Sequence, residues 1–101
     1  MKESKKKITV SIVEDDLSFQ DWILEELELE PNIACISKFT KGEEAIIGLQ
    51  EKQPDIVLMD LELNGAEING IACMAVLKVQ YPDLKFLVIS SHDDNEKLFS
   101  A

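Results

Sequence analysis

Carboxylate and hydroxyl side chains fall at the ends of short apolar runs, and that spacing is where chemistry would lie. Glu14, Asp15 and Asp16 follow the run Ile8 to Val13, Asp60 closes the run Asp55 to Asp60, and Ser90, Ser91 and His92 close a run that begins at Leu84. Carboxylates drawn to one point repel each other unless a proton or a cation joins them. Hard oxygen ligands of this kind suit Mg²⁺, which keeps several waters and takes one or two direct carboxylates plus substrate oxygens. An ion there could bridge a phosphoryl oxygen and stabilise charge during transfer. Asp60, just past a wholly apolar run, is shielded enough to be a defined nucleophile yet open at its end. The Ser90 hydroxyl could bond a phosphoryl oxygen on Asp60 and report its presence to the following loop. Each residue also has a plainer use. Asp16 can cap the helix that follows, Asp60 alone can form a turn, Ser91 reads as a loop hydroxyl, and His92 is assigned no role.

The elements that must bring these groups together alternate along the chain. Ile8 to Val13 is rich in β-branched residues and is followed by acids, so it reads as a strand. Leu17 to Leu29 follows as a helix, with Phe19, Ile23 and Leu27 on one stripe widened by Leu24, and Pro31 beyond its end. Ile33 to Phe39 is the second strand. Lys41 to Lys52 is a helix facing inward through Ala45, Ile46 and Leu49. Asp55 to Asp60 is a continuous apolar run ended by a carboxylate, the pattern of a strand buried on both faces. After a turn-rich loop at Asn64 to Asn69, Gly70 to Tyr81 is a helix with Ile71, Met74, Leu77 and Val76 inward. Leu84 to Ser90 is the fourth strand, and Asp93 or Asp94 would cap a last helix running from near Asn95 to Ala101.

Strands alternating with helices predict βαβ units, a parallel sheet and right-handed crossovers. The leading arrangement is a flavodoxin-like three-layer αβα sandwich of order 2-1-3-4, with strands one and three adjacent at the switch point. In such sheets ligands bind beyond the carboxyl ends of the strands. That is where Glu14 to Asp16, Asp60 and Ser90 fall. Along a strand Glu14 and Asp16 share one direction and Asp15 takes the other, until the turn breaks the period.

Composition narrows the partners. A chain of 101 residues allows one domain. With 46% hydrophobic and 30% charged residues the balance is that of a globular domain. The formal net charge of −10 argues against direct binding of nucleic acid and is compatible with a cation or a basic partner surface. Cys35 and Cys73 are too few for a disulfide framework or a zinc site and read as small apolar residues. No apolar run approaches the ~20 residues of a membrane span. Residues 1–7 form a basic leader without the apolar region of a signal peptide, so the expected location is cytoplasmic.

Three strings carry a resemblance: Ile12-Val13-Glu14-Asp15-Asp16, Asp55-Ile56-Val57-Leu58-Met59-Asp60 and Val88-Ile89-Ser90-Ser91-His92. From about Ile8 onward the chain resembles the receiver domain of bacterial two-component response regulators. The resemblance implies that Asp60 accepts a phosphoryl group from a histidine kinase or a phosphotransfer protein. It implies Mg²⁺ held by Asp15, Asp16, Asp60 and the backbone carbonyl of Glu62, with Ser90 as the switch hydroxyl. It also implies that the helix after strand one docks the donor, making Leu17, Phe19 and Trp22 interface candidates, with core packing the stronger role for Phe19.

The sequence departs from that pattern in two places. The loop after Asp60 is longer than is usual and has Asn64-Gly65 where a proline is common. The sequence also ends before the fifth strand, with its lysine, and the fifth helix, so it reads as a receiver incomplete at its C-terminus. The expectation is a fragment of a longer protein, or self-association through an exposed strand-four edge. The rival readings are a phosphorylation-incompetent protein-binding module and a haloacid-dehalogenase-like phosphatase. Asp60-Leu61-Glu62 loosely matches the phosphatase motif, but the cap and downstream lysine are not seen.

Overall fold

The computed structural model describes residues 7–63 and 68–89. Four parallel strands and three helices alternate: β1 (Ile8–Val13), α1 (Leu17–Glu28), β2 (Ile33–Phe39), α2 (Gly42–Gly48), β3 (Ile56–Asp60), α3 (Gly70–Gln80) and β4 (Lys85–Ile89). The sheet order is β2-β1-β3-β4, the flavodoxin-like arrangement expected of these crossovers.

The two central strands are the apolar ones because both of their faces are covered. Val13, Val57 and Met59 pack with Ala45 and Leu49 of the α2 segment and Cys73 and Leu77 of α3. Val10, Ile12 and Leu58 face the other way, against Ile23 of α1. Each fully buried side chain of this size contributes roughly 1.5–3 kcal/mol. Ser11 is the exception inside β1. It is fully buried and shares a 2.5 Å hydroxyl contact with Ser37 of β2. The β1–β2 register shifts there, from Val10↔Cys35 to Ser11↔Ser37, so Ile36 is the extra residue of a bulge.

Helix ends follow their local chemistry. Asp16 caps α1 through bonds from the Ser18 and Phe19 amides. Asn69 caps α3 through the Ala72 amide, and Tyr81, held out of the helical region before Pro82, ends it. α2 is shorter than the expected Lys41 to Lys52. Beyond Gly48 the amides of Gln50 and Glu51 bond back three residues, to Ile47 and Gly48, so the turn tightens and stops. The inward face of α3 also differs from expectation. Gly70, Cys73 and Leu77 are buried, whereas Ile71 and Val76 are exposed. α3 is apolar at most positions, so its periodicity does not select a face.

The strand neighbours differ in cover. Among the described residues β4 pairs only with β3, and its Leu87 and Val88 are exposed. Cys73 is buried and Cys35 half-buried. The expected helix from near Asn95, and Ser90, Ser91 and His92 with it, lie outside the described residues. No helix among the described residues is long and apolar enough to cross a membrane.

Candidate functional site

The β1–β3 ladder decides which acids meet. Its register runs Ile12↔Leu58 and Val13↔Met59, so the next step sets Glu14 opposite Asp60 on the same face. Both are withdrawn from solvent, Glu14 at 0% and Asp60 at 2% exposure. Asp15, half-buried in the turn, completes a trio whose ligand atoms all lie within 4.8 Å of one another. These acids sit at the carboxyl edge of the sheet, between the two strands whose crossovers part in opposite directions.

Backbone donors hold one oxygen of each buried carboxylate. The Asp16 amide donates to Glu14 Oε2 at 3.0 Å, and the Glu62 amide donates to Asp60 Oδ1 at 3.0 Å. The other oxygens, Glu14 Oε1 and Asp60 Oδ2, are buried without a hydrogen-bond partner. Two acceptor-only oxygens in that position are costly unless a proton or cation lies between them. Burial pushes the Glu14 carboxyl up to about 8, and the neighbouring Asp60 charge adds to that rise. Asp60 is also raised, first by burial and then by the Asp15 charge, with the Glu62 amide pulling it back. The pair therefore favours a shared proton when no cation is bound, and a hard divalent cation satisfies the same orphaned oxygens. The donor set fits Mg²⁺.

Of the acids expected at this edge, the structure groups Asp15 and Asp60 with Glu14, and leaves the Asp16 side chain outside the group. Asp16 is exposed, and its Oδ1 accepts the Ser18 amide at 3.0 Å and the Phe19 amide at 3.2 Å. The side chain is engaged in capping, while its backbone serves Glu14. Glu62 stands beside the site with its amide on Asp60, and Ser90 is outside the described residues.

Two further residues escaped the pattern of strand ends. Gln20 is buried on α1, in line with Ile23 and Leu27, and its amide bonds the Glu14 and Phe39 carbonyls. A polar residue on an apolar stripe was the available signal. Gly70 opens α3 directly against the end of β3. A Cβ there would stand 2.1 Å from the Asp60 carbonyl oxygen and 2.6 Å from Leu61 Cα. Only glycine allows that approach.

On the outer face of α1, Phe19 stacks on Trp22 with ring centroids 5.8 Å apart. Phe19 is half-buried against the Val10–Ile12 cluster, while Leu17 and Trp22 are 60% and 54% exposed.

A parallel sheet of this order, with an acid trio at its switch point that could hold a metal ion, defines a flavodoxin-like α/β domain. Within that class the chain belongs to the response regulator receiver domain family, which it matches over residues 10–101. It is 33% identical over 91 residues to the transcriptional regulatory protein DegU of Brevibacillus brevis, covering 90% of this chain and 38% of that protein. It is 30% identical over 92 residues to the DNA-binding transcriptional regulator NtrC of Salmonella typhimurium, covering 91% of this chain and 19% of that one. The chain thus spans well under half the length of these relatives. Among solved structures, the non-phosphorylated receiver domain of RcsB from Escherichia coli superposes with a TM-score of 0.79 at 19% identity, over 92% of this chain and 72% of that one. The receiver domain of NtrX from Brucella abortus gives 0.75 at 24% identity, over 86% and 71%. These likenesses bear out the fold. The chain is a receiver domain of two-component signalling, where the family's function is to accept a phosphoryl group.

Proposed function

We propose that Asp60 is the phosphoryl acceptor and that Glu14, Asp15 and Asp60 bind Mg²⁺ beside it. The observation that carries the reading is the pair of buried, unpartnered oxygens, Glu14 Oε1 and Asp60 Oδ2, in a trio of acids. A carboxylate kept from water and held by one amide has its second oxygen poised and unsolvated, which suits nucleophilic attack. When bound, Mg²⁺ lowers the repulsion between the acids and an incoming phosphoryl group and stabilises charge in transfer.

The chain's own residues do the rest. The Glu62 amide orients the Asp60 carboxylate through Oδ1, and one oxygen of that carboxylate forms the new P–O bond as the donor's P–N bond breaks. Glu14 and Asp15 hold the cation, and the Glu62 carbonyl, two residues past the acceptor, is offered as a further ligand. Asp16 orients Glu14 through its amide and closes the turn by capping α1. Ser90 is proposed as the hydroxyl that bonds the phosphoryl group. The donor is a phosphohistidine of a kinase or phosphotransfer protein, docking on the exposed Leu17 and Trp22 of α1. The setting proposed for this exchange is the cytoplasm.

The test is direct. The chain is incubated with Mg²⁺ and acetyl phosphate, and a hydroxylamine-labile adduct is sought by peptide mapping. The adduct is expected on Asp60 and absent from Asp60→Asn. Binding of Mg²⁺ without labelling would leave a protein-binding module, and labelling elsewhere would overturn the assignment.

A further inference from the structure

Gln20 lies at a junction that the acid trio does not explain. Its side chain is 4% exposed, and Nε2 donates to the Glu14 carbonyl at 3.2 Å and the Phe39 carbonyl at 3.1 Å. The Phe39 carbonyl also accepts the Glu14 amide at 2.9 Å. One side-chain amide therefore ties the end of β2 to the first peptide of the acidic turn. The Glu14 carbonyl belongs to the peptide that joins Glu14 to Asp15. Fixing it fixes the plane from which both side chains project. At the other end of the turn the Gln20 backbone amide bonds the Asp16 carbonyl at 2.9 Å, so one residue closes the turn from two sides.

The choice of side chain follows from what surrounds it. Two carbonyls need two donor hydrogens, which one neutral amide supplies. An ionised glutamate would add a fourth acid and donate nothing. A lysine would bring a cation to a turn whose carboxylates have to stay available to a metal.

We propose that Gln20 is a positioning residue: by locking the Glu14–Asp15 peptide to β2 and α1, it sets the affinity of the acid trio for a divalent cation. This rests on the reading of that trio as a Mg²⁺ site. Supporting groups behind ligands commonly change metal affinity by about 10- to 100-fold when removed.

The experiment is a Mg²⁺ titration of the full chain followed by amide proton–nitrogen NMR, for the wild type, Gln20→Met and Ile23→Val. Ile23 lies on the same helix but packs only in the core. Gln20→Met should weaken Mg²⁺ binding about tenfold or more. Ile23→Val should lower the urea midpoint and leave Mg²⁺ affinity within about twofold of the wild type. In the wild type, the Gln20 side-chain amide signals should shift on Mg²⁺ addition in step with the Glu14 and Asp15 amides. Equal affinity in Gln20→Met and wild type overturns the inference. Unmoved Gln20 side-chain signals overturn it too, even where Gln20→Met fails to fold. A wild type that binds no Mg²⁺ overturns the reading of the trio and this inference with it, a result distinct from either of those.

Discussion

Two aspartates mark the ends of β3, Asp55 just before it and Asp60 as its last residue, and they lead opposite lives. Asp55, just before the strand and exposed, accepts the Thr9 amide at 2.9 Å and the Thr9 hydroxyl at 3.2 Å on one oxygen. Its own amide returns bonds to the Thr9 carbonyl and hydroxyl, both at 2.9 Å. Asp60, at the other end, is buried, and one of its oxygens has no partner. One aspartate is a clip between strands; the other keeps an unpartnered acceptor oxygen beside two more acids. What separates structure from chemistry is therefore not residue type but what burial leaves unsatisfied.

The sharpest way to break this comparison is to neutralise each aspartate in turn. Asp60→Asn should abolish acetyl phosphate labelling, a loss of about 100-fold or more, because an amide is no nucleophile. The same change should stabilise the cation-free domain by about 1 kcal/mol by relieving repulsion among the acids. Asp55→Asn should do the reverse: labelling stays within about twofold, and stability falls by about 1 kcal/mol as the Thr9 bonds weaken. Phosphorylation assays and urea melts of both variants read the contrast. If Asp55→Asn lost labelling and Asp60→Asn kept it, the comparison would collapse.

Next in size is the close approach of α3 to Asp60. Gly70→Ala places a methyl group against the Asp60 carbonyl and Leu61 Cα, backbone atoms that cannot swing aside. The strand end and helix start must separate, at a cost of about 3 kcal/mol. Labelling of Asp60 should fall more than about tenfold even in the folded fraction, since the acceptor's own backbone is displaced. The matching change at the other end of the sheet, Thr9→Val, should cost stability without that drop in labelling.

Much of this frame was legible before any coordinates. The continuous apolar run at Ile56 to Met59 marks a strand covered on both faces, the β-branched residues of Ile8 to Val13 mark its neighbour, and Asp16 and Pro31 bracket α1 by local chemistry alone. What could not be read locally depends on the meeting of distant segments. Whether Glu14 or Asp16 joins Asp60 is set by the β1–β3 register, since Glu14 keeps the parity of Ile12 and lands opposite Asp60. The periodicity of α3 does not select its buried face, because Ile71 and Val76 are as apolar as the residues that are buried. Gly70 declares its role only once Asp60 stands against it.

Glu14 should also make stability depend on pH. Folding lifts Glu14 from its usual 4.5 to about 8, chiefly through burial. A raised pKa means that the group's contribution is fully present below the unfolded value and is lost as pH climbs through the folded one. The cation-free domain should therefore lose stability between pH 4.5 and about 8, by up to about 5 kcal/mol. Glu14→Gln should flatten that slope, and saturating Mg²⁺ should offset it by binding the ionised form. Urea midpoints across that range, with Mg²⁺ and with a chelator, check both. A slope unchanged in Glu14→Gln would assign the pH dependence elsewhere.

The smallest effect concerns the acid that stands nearest the trio without joining it. Asp16 contributes its side chain to the helix and its backbone amide to Glu14. Asp16→Ala removes the first and keeps the second. It should cost about 1 kcal/mol, the usual value of a lost N-cap. Mg²⁺ affinity should change by less than about threefold, against a loss of at least about tenfold for Asp15→Ala, whose carboxylate is in the trio. Asp16→Asn and Asp16→Ser, which cap without a full charge, should recover most of the stability. If Asp16→Ser restored the helix but left Mg²⁺ binding as weak as Asp15→Ala does, Asp16 would belong with the ligands. The line between the structural and the chemical carboxylates would then run through a different residue.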